Sequence, residues 1–194
     1  AVVGASLGGL ISMATVGRAD APPINALALV DIAPRMEEVG VERIVSFMRA
    51  RPDGFASLEE AAQHIADYRG RPMEGPIEGL KKNLRMNVQG RWNWHWDPQL
   101  MSEANHNHRR DAEGYERALR GLQAPTLLLR GQRSDVISEE DARALVQTLP
   151  RARFVDLKGA GHMIAGDAND AFAASVAAFL HEVMPPAPPP ASRS

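Results

Sequence analysis

The run Ala26-Leu27-Ala28-Leu29-Val30 carries no polar residue at either parity. A strand with one wet face alternates apolar and polar side chains. A strand that does not alternate is covered on both faces, as in a parallel sheet between helix layers. Residues 1–3 and 126–129 have the same character, and residues 154–157 form a shorter fourth run. Helical spacing lies between and after these runs. Leu10, Met13 and Ala14 follow the first, with Gly17 placed to end that helix. Ala142, Leu145, Val146 and Leu149 keep i, i+3, i+4, i+7 spacing behind a Ser138/Asp141 capping box. Phe172, Val176, Phe179, Leu180 and Val183 share the face of a last helix. Strands alternating with helices predict an α/β fold, a mostly parallel sheet with flanking helices and right-handed crossovers.

Between the second and third strands lie about ninety residues, where a simple crossover needs a short loop and one helix. Val41, Ile44, Val45 and Met48 mark one amphipathic helix there. Leu58, Ala61, Ala62 and Ile65 mark another, opened by Ser57 with Glu60 as a capping box. Residues 76–86 are expected as a third helix, ahead of "GRWNWHWDP". A polar helix is expected near residues 111–122. The chain therefore divides into a core segment 1–34, a helical lid 35–98, a second core segment 99–184 and a Pro-rich tail 185–194, expected to be disordered or extended.

Composition narrows the function classes. The 194 residues are 44% hydrophobic, enough for a real core, and the formal net charge is −2 from 22 basic and 24 acidic side chains. No basic stretch reads as a nucleic-acid footprint; "HRR" at 108–110 is too short for one. Cysteine is absent. This rules out disulfides and thiolate metal sites and fits a reducing compartment, so the cytoplasm is the expected location. No apolar run reaches the roughly 18 residues of a membrane span.

Gly4-Ala5-Ser6-Leu7-Gly8 is G-x-S-x-G between a strand and a helix. A sharp strand-to-helix turn there lifts one side chain in a strained conformation. The flanking glycines are expected to leave room for the turn and for close strand–helix approach. Ser6 then stands at a helix N-terminus, where unpaired N–H groups favour developing negative charge, and the Leu7 backbone N–H is one candidate oxyanion-hole donor. The bland alternative is a Gly-rich turn with an ordinary capping serine. A phosphate loop fails because no lysine and hydroxyl pair follows Gly8 or Gly9, and G-x-G-x-x-G is not present.

A serine hydroxyl needs a base, and the base needs a carboxylate to orient it. Of six histidines, only His162, in "KGAGHMI", follows a strand end in a Gly-rich loop. His64 falls in an inserted helix, His95 among the tryptophans and His181 near the end of the last helix. His106 and His108 have H-x-H spacing but no third ligand in view, so no metal site is assigned. Two carboxylates compete. Asp135 lies in "LLLRGQRSDVIS" past the third strand, and Asp31 closes the second strand in "LVDIAP". Asp135 is the preferred acid. Ser6, Asp135 and His162 each follow a parallel strand, on the sheet edge where open α/β sheets bind ligands, in the chain order Ser, Asp, His.

With these residues in hand, the chain resembles the C-terminal two-thirds of a lidded α/β-hydrolase. "VVGASLGG" is similar to its nucleophile elbow, "LLLRGQRSD" to its acid loop and "GAGHMIAGD" to its histidine loop. The resemblance extends over nearly the whole chain, and the segment holding "WNWHWDP" is similar to carboxylesterase-like members. It implies a serine hydrolase that cleaves a carboxylic ester through an acyl-enzyme, needing no cofactor. Related chemistries on the same triad are C–C bond hydrolysis, acyl transfer and cofactor-free haloperoxidation; a non-catalytic ligand-binding module is the alternative of another class. It also implies a chain that begins in the fifth strand of eight, so that the N-terminal strands and a second oxyanion donor would lie upstream. The implied partner is a small apolar ester or acyl compound. Trp92, Trp94 and Trp96 alternate and are candidates to wall its acyl pocket, with packing of the lid as the plainer reading.

Overall fold

The structure is a computed structural model that describes residues 1–73, 75–102, 111–164 and 168–185. It falls into two compact units, residues 1–41 with 109–194, and residues 42–108. The first unit holds a four-stranded parallel sheet in the order β1-β2-β5-β6. Its strands are β1 (Val2–Ala5), β2 (Leu27–Val30), β5 (Thr126–Gly131) and β6 (Ala152–Leu157). The helices that accompany it are α1 (Leu7–Val16), α4 (Ala112–Arg120), α5 (Glu139–Thr148) and α6 (Asn169–Val183). This is the expected α/β architecture.

The non-alternating runs are the central strands. Every residue of β2 and of β5 is buried. Each leucine so placed contributes about 2 kcal/mol relative to an exposed one. On one side Ala28, Val30, Leu127 and Leu129 pack with Leu157, Ile164 and Phe179, and Phe172, Val176, Leu180 and Val183 of α6 close over them. Helix α5 starts where the capping box places it: the Asp141 N–H donates to the Ser138 hydroxyl at 3.0 Å. No helix among the described residues is long and apolar enough to cross a membrane.

The second unit is built from most of α2 (Glu38–Arg49), α3 (Leu58–Arg69) and a hairpin of β3 (Leu84–Met86) and β4 (Trp92–Trp94). The Ser57/Glu60 box caps α3: the Glu60 N–H donates to the Ser57 hydroxyl at 3.2 Å, and the Glu60 carboxylate accepts the Ala56 N–H at 2.6 Å. Phe55, Leu58, Ala61, Leu80 and Leu84 form this unit's own core.

Two expectations differ from what is found. Residues 76–86 are not one helix. A short 3-10 helix, Ile77–Lys82, ends at Asn83, and the chain then enters β3. Gly79 weakens an α-helix there, while Leu84 and Met86 pair across to Trp94 and Trp92. The hairpin turn is made by Asn87, whose side chain accepts the N–H groups of Gln89 and Arg91, and by Gly90 at φ 74°. The second difference is the extent of the inserted unit, which runs from 42 to 108 rather than from 35 to 98. The segment entering α2 still belongs with the sheet, because the Glu37 N–H donates to the Val136 carbonyl. Of the Pro-rich tail, only Pro185 lies within the described residues.

Candidate active site

The tight turn after β1 sets Ser6 at φ 46°, ψ −116°, as the N-cap of α1. Its neighbours are small for steric reasons. A Cβ on Gly4 would lie 2.6 Å from the Gly8 carbonyl oxygen, and one on Gly9 would lie 2.2 Å from Ile32 Cγ2. A Cβ on Gly8 would meet nothing within 4 Å. The crowded positions of the elbow are thus Gly4 and Gly9, not the two glycines of the five-residue pattern. Ser6 makes no side-chain capping bond, so it is not an ordinary capping serine. Leu7 is the first residue of α1, and its N–H is among those a helix leaves without an intrahelical partner.

The Ser6 hydroxyl faces His162. The distance from Ser6 Oγ to His162 Nε2 is 3.1 Å, within proton-transfer reach. The other ring nitrogen, Nδ1, lies 2.7 Å from Oδ2 of Asp31. A carboxylate only accepts, so Nδ1 carries the proton and Nε2 is left to accept from the serine. The imidazole is 10% exposed and the Asp31 side chain is fully buried. His162 comes from the loop after β6 and reaches past the ends of β5 and β2 to the end of β1.

The carboxylate at His162 is therefore Asp31, the residue that closes β2, and not the preferred Asp135. The physical reason is position. Asp31 directly follows the last residue of β2, the strand between β1 and β5. Asp135 lies four residues beyond the end of β5, past a turn closed by the Ser134 N–H on the Gly131 carbonyl. Backbone geometry marks the same residue independently. Among the described residues, the non-glycine residues with positive φ are Ser6 and Asp31, the latter at φ 49°. Such a conformation costs of order 1–3 kcal/mol and persists only where surrounding bonds impose it.

Those bonds come from the end of β5 and the loop after it. The Gly131 N–H donates to Asp31 Oδ1 at 2.8 Å, and the Ser134 hydroxyl donates to Asp31 Oδ2. The loop is itself tied down. Buried Arg130 donates to the carbonyls of Ile137 (2.9 Å) and Gln132 (3.4 Å) and pairs with Asp156 at 3.0 Å. The Arg133 N–H donates to the Ala160 carbonyl at 2.8 Å, and the Arg133 guanidinium donates to the Gly159 carbonyl, joining this loop to the one that carries His162. Ser134 and Gly131 were not singled out from the sequence.

The tryptophan candidates belong to the second unit. Trp92 and Trp94 belong to β4 and pack on the core of the second unit. Trp94 stacks on Trp96 with centroids 4.6 Å apart and meets Phe55 edge-on at 5.5 Å. His64 stacks on Phe47 at 4.7 Å within the same unit. His106 and His108 fall outside the described residues.

Residues 1–175 match the model of the alpha/beta hydrolase family. The chain is 29% identical over 170 residues to a 3-hydroxybutyrate-oligomer hydrolase of Cupriavidus necator, covering 82% of this chain and 57% of that protein. Among solved structures, it superposes on E-2-(acetamidomethylene)succinate hydrolase with a TM-score of 0.73 at 17% identity, covering 92% of this chain and 65% of the other. An esterase from Mycobacterium tuberculosis aligns with a TM-score of 0.66 at 24% identity, covering 92% of this chain and 59% of the other. The chain thus spans between 57% and 65% of the length of these relatives.

Proposed function

The chain belongs to the alpha/beta hydrolase family, and we propose that it carries out serine-dependent acyl transfer to water, with a small carboxylic ester as substrate. The observation that carries this reading is the continuous hydrogen-bonded line Ser6–His162–Asp31, 3.1 Å and 2.7 Å between its members. Relatives named as a 3-hydroxybutyrate-oligomer hydrolase and an esterase support the ester class.

The chemistry follows from the protonation pattern. His162 Nε2 takes the hydroxyl proton as Ser6 Oγ attacks the acyl carbonyl. Asp31 keeps the Nδ1–H tautomer and stabilises the imidazolium that forms. The Leu7 N–H donates to the oxyanion of the tetrahedral intermediate. The imidazolium protonates the departing alcohol as the C–O bond breaks, leaving an acyl group on Ser6. Water, deprotonated by His162, releases the acid by the same steps in reverse.

The test is covalent labelling of Ser6 by a fluorophosphonate, together with turnover of p-nitrophenyl esters. Wild type is expected to label at Ser6. Ser6→Ala is expected to abolish labelling and lower turnover on the order of 10⁴-fold or more. Equal labelling and turnover in the two proteins would overturn the assignment.

A further inference from the structure

The end of β5 and the loop after it supply no carboxylate to His162, yet Gly131 and Ser134 there both donate to the Asp31 carboxylate. We propose that Ser134 is a positioning residue for this site: its hydroxyl fixes Asp31 Oδ2, the oxygen that also accepts the His162 Nδ1–H. This inference rests on Asp31 as the orienting carboxylate.

The hydroxyl has one proton, and it is committed to Asp31 Oδ2. Its oxygen accepts the Val136 N–H at 3.1 Å, which fixes the direction in which that proton points. Gly131 N–H holds the opposite carboxylate oxygen. Asp31 is thus gripped at both oxygens, so the carboxylate plane cannot rotate about its Cβ–Cγ bond. A plane held in this way keeps the Nδ1 acceptor in place and, through the rigid ring, keeps Nε2 aimed at Ser6 Oγ. Without Ser134, Oδ2 keeps His162 as its single partner and only the Gly131 N–H still ties the carboxylate to β5, so the ring is held by a less firmly fixed acceptor.

Ser134→Ala and Ser134→Thr of the full chain separate positioning from mere packing. The readouts are the saturation kinetics of fluorophosphonate labelling and the proton NMR resonance of the His162 Nδ1–H. In Ser134→Ala the maximal labelling rate is expected to fall about tenfold, the size of losing one hydrogen bond to a charged group, with half-saturation unchanged. The Nδ1–H resonance is expected to shift. Ser134→Thr, which keeps the hydroxyl, is expected to restore both. An unshifted resonance in Ser134→Ala, whether or not the rate falls, overturns the proposal. Asp31→Asn run alongside separates the two layers. If it labels as fast as wild type, the assignment of Asp31 falls and this inference with it. A slow Asp31→Asn beside a Ser134→Ala indistinguishable from wild type overturns the role of Ser134 alone.

Discussion

Strands β2 and β5 are neighbours, both are wholly buried, and each is followed by an aspartate, yet the two ends have opposite duties. At the end of β2 the chain places Asp31 at once, in a left-handed conformation, under the imidazole. Strand β5 instead ends in Gly131 and the chain continues through Gln132-Arg133-Ser134 before Asp135, and this stretch contributes donors rather than the acceptor. The difference shows that the carboxylate at His162 is decided by where its oxygens end up, and that one strand's width, about 4.8 Å, is a distance a loop can bridge.

The sharpest way to break this contrast is to exchange the two carboxylates for amides. Asp31→Asn presents an N–H₂ or a neutral oxygen to Nδ1, so the ring loses its preference for the Nε2-acceptor tautomer. The labelling rate of Ser6 is expected to fall about 10⁴-fold. Asp135→Asn is expected to leave it within about threefold. Reversed magnitudes would return the acid to β5. Next in size is Gly131→Ala. An added Cβ would sit 2.3 Å from the Gly161 carbonyl oxygen and 2.8 Å from that of Ala160, so the histidine loop must move. About 1–3 kcal/mol of stability should be lost in urea denaturation. Labelling should slow by more than in Asp135→Asn. A stable, fully reactive Gly131→Ala would show that the two loops are not packed as tightly as these distances require.

The same contrast explains what the sequence made legible. The strands were readable because residues 26–30 and 126–129 lack alternation, and burial on both faces is the physical cause of that pattern. Ser6 and His162 were readable because each is bracketed by glycines at a strand end. The choice between Asp31 and Asp135 was not readable from spacing. It depends on two features that leave no local sequence signature: the positive φ of Asp31 and the direction of the Ser134 hydroxyl. The hairpin of β3 and β4 was hidden for a different reason. Its strands are three residues each, too short for a period to emerge, and the run Leu84–Met86 is as consistent with a helix end as with a strand. Only the Asn87–Gly90 turn chemistry distinguishes them.

The smallest expected effect is also the closest control on the loop after β5. Ser138 stands four residues beyond Ser134 and likewise uses its hydroxyl twice, accepting the Asp141 N–H at 3.0 Å and donating to Asp141 Oδ2 at 2.7 Å. Both partners belong to the first turn of α5, where Glu139, Glu140 and Asp141 also favour the positive end of the helix. Ser138→Ala therefore removes a cap and nothing that touches Asp31. It is expected to cost about 1 kcal/mol in urea denaturation and to leave the His162 Nδ1–H resonance and the labelling rate of Ser6 as in wild type. Two serines in one loop then separate cleanly, one acting on the chemistry and one on the fold. If Ser138→Ala instead slowed labelling as much as Ser134→Ala and moved the same resonance, the loop would be acting as a single elastic body, and no individual hydroxyl in it would hold the carboxylate.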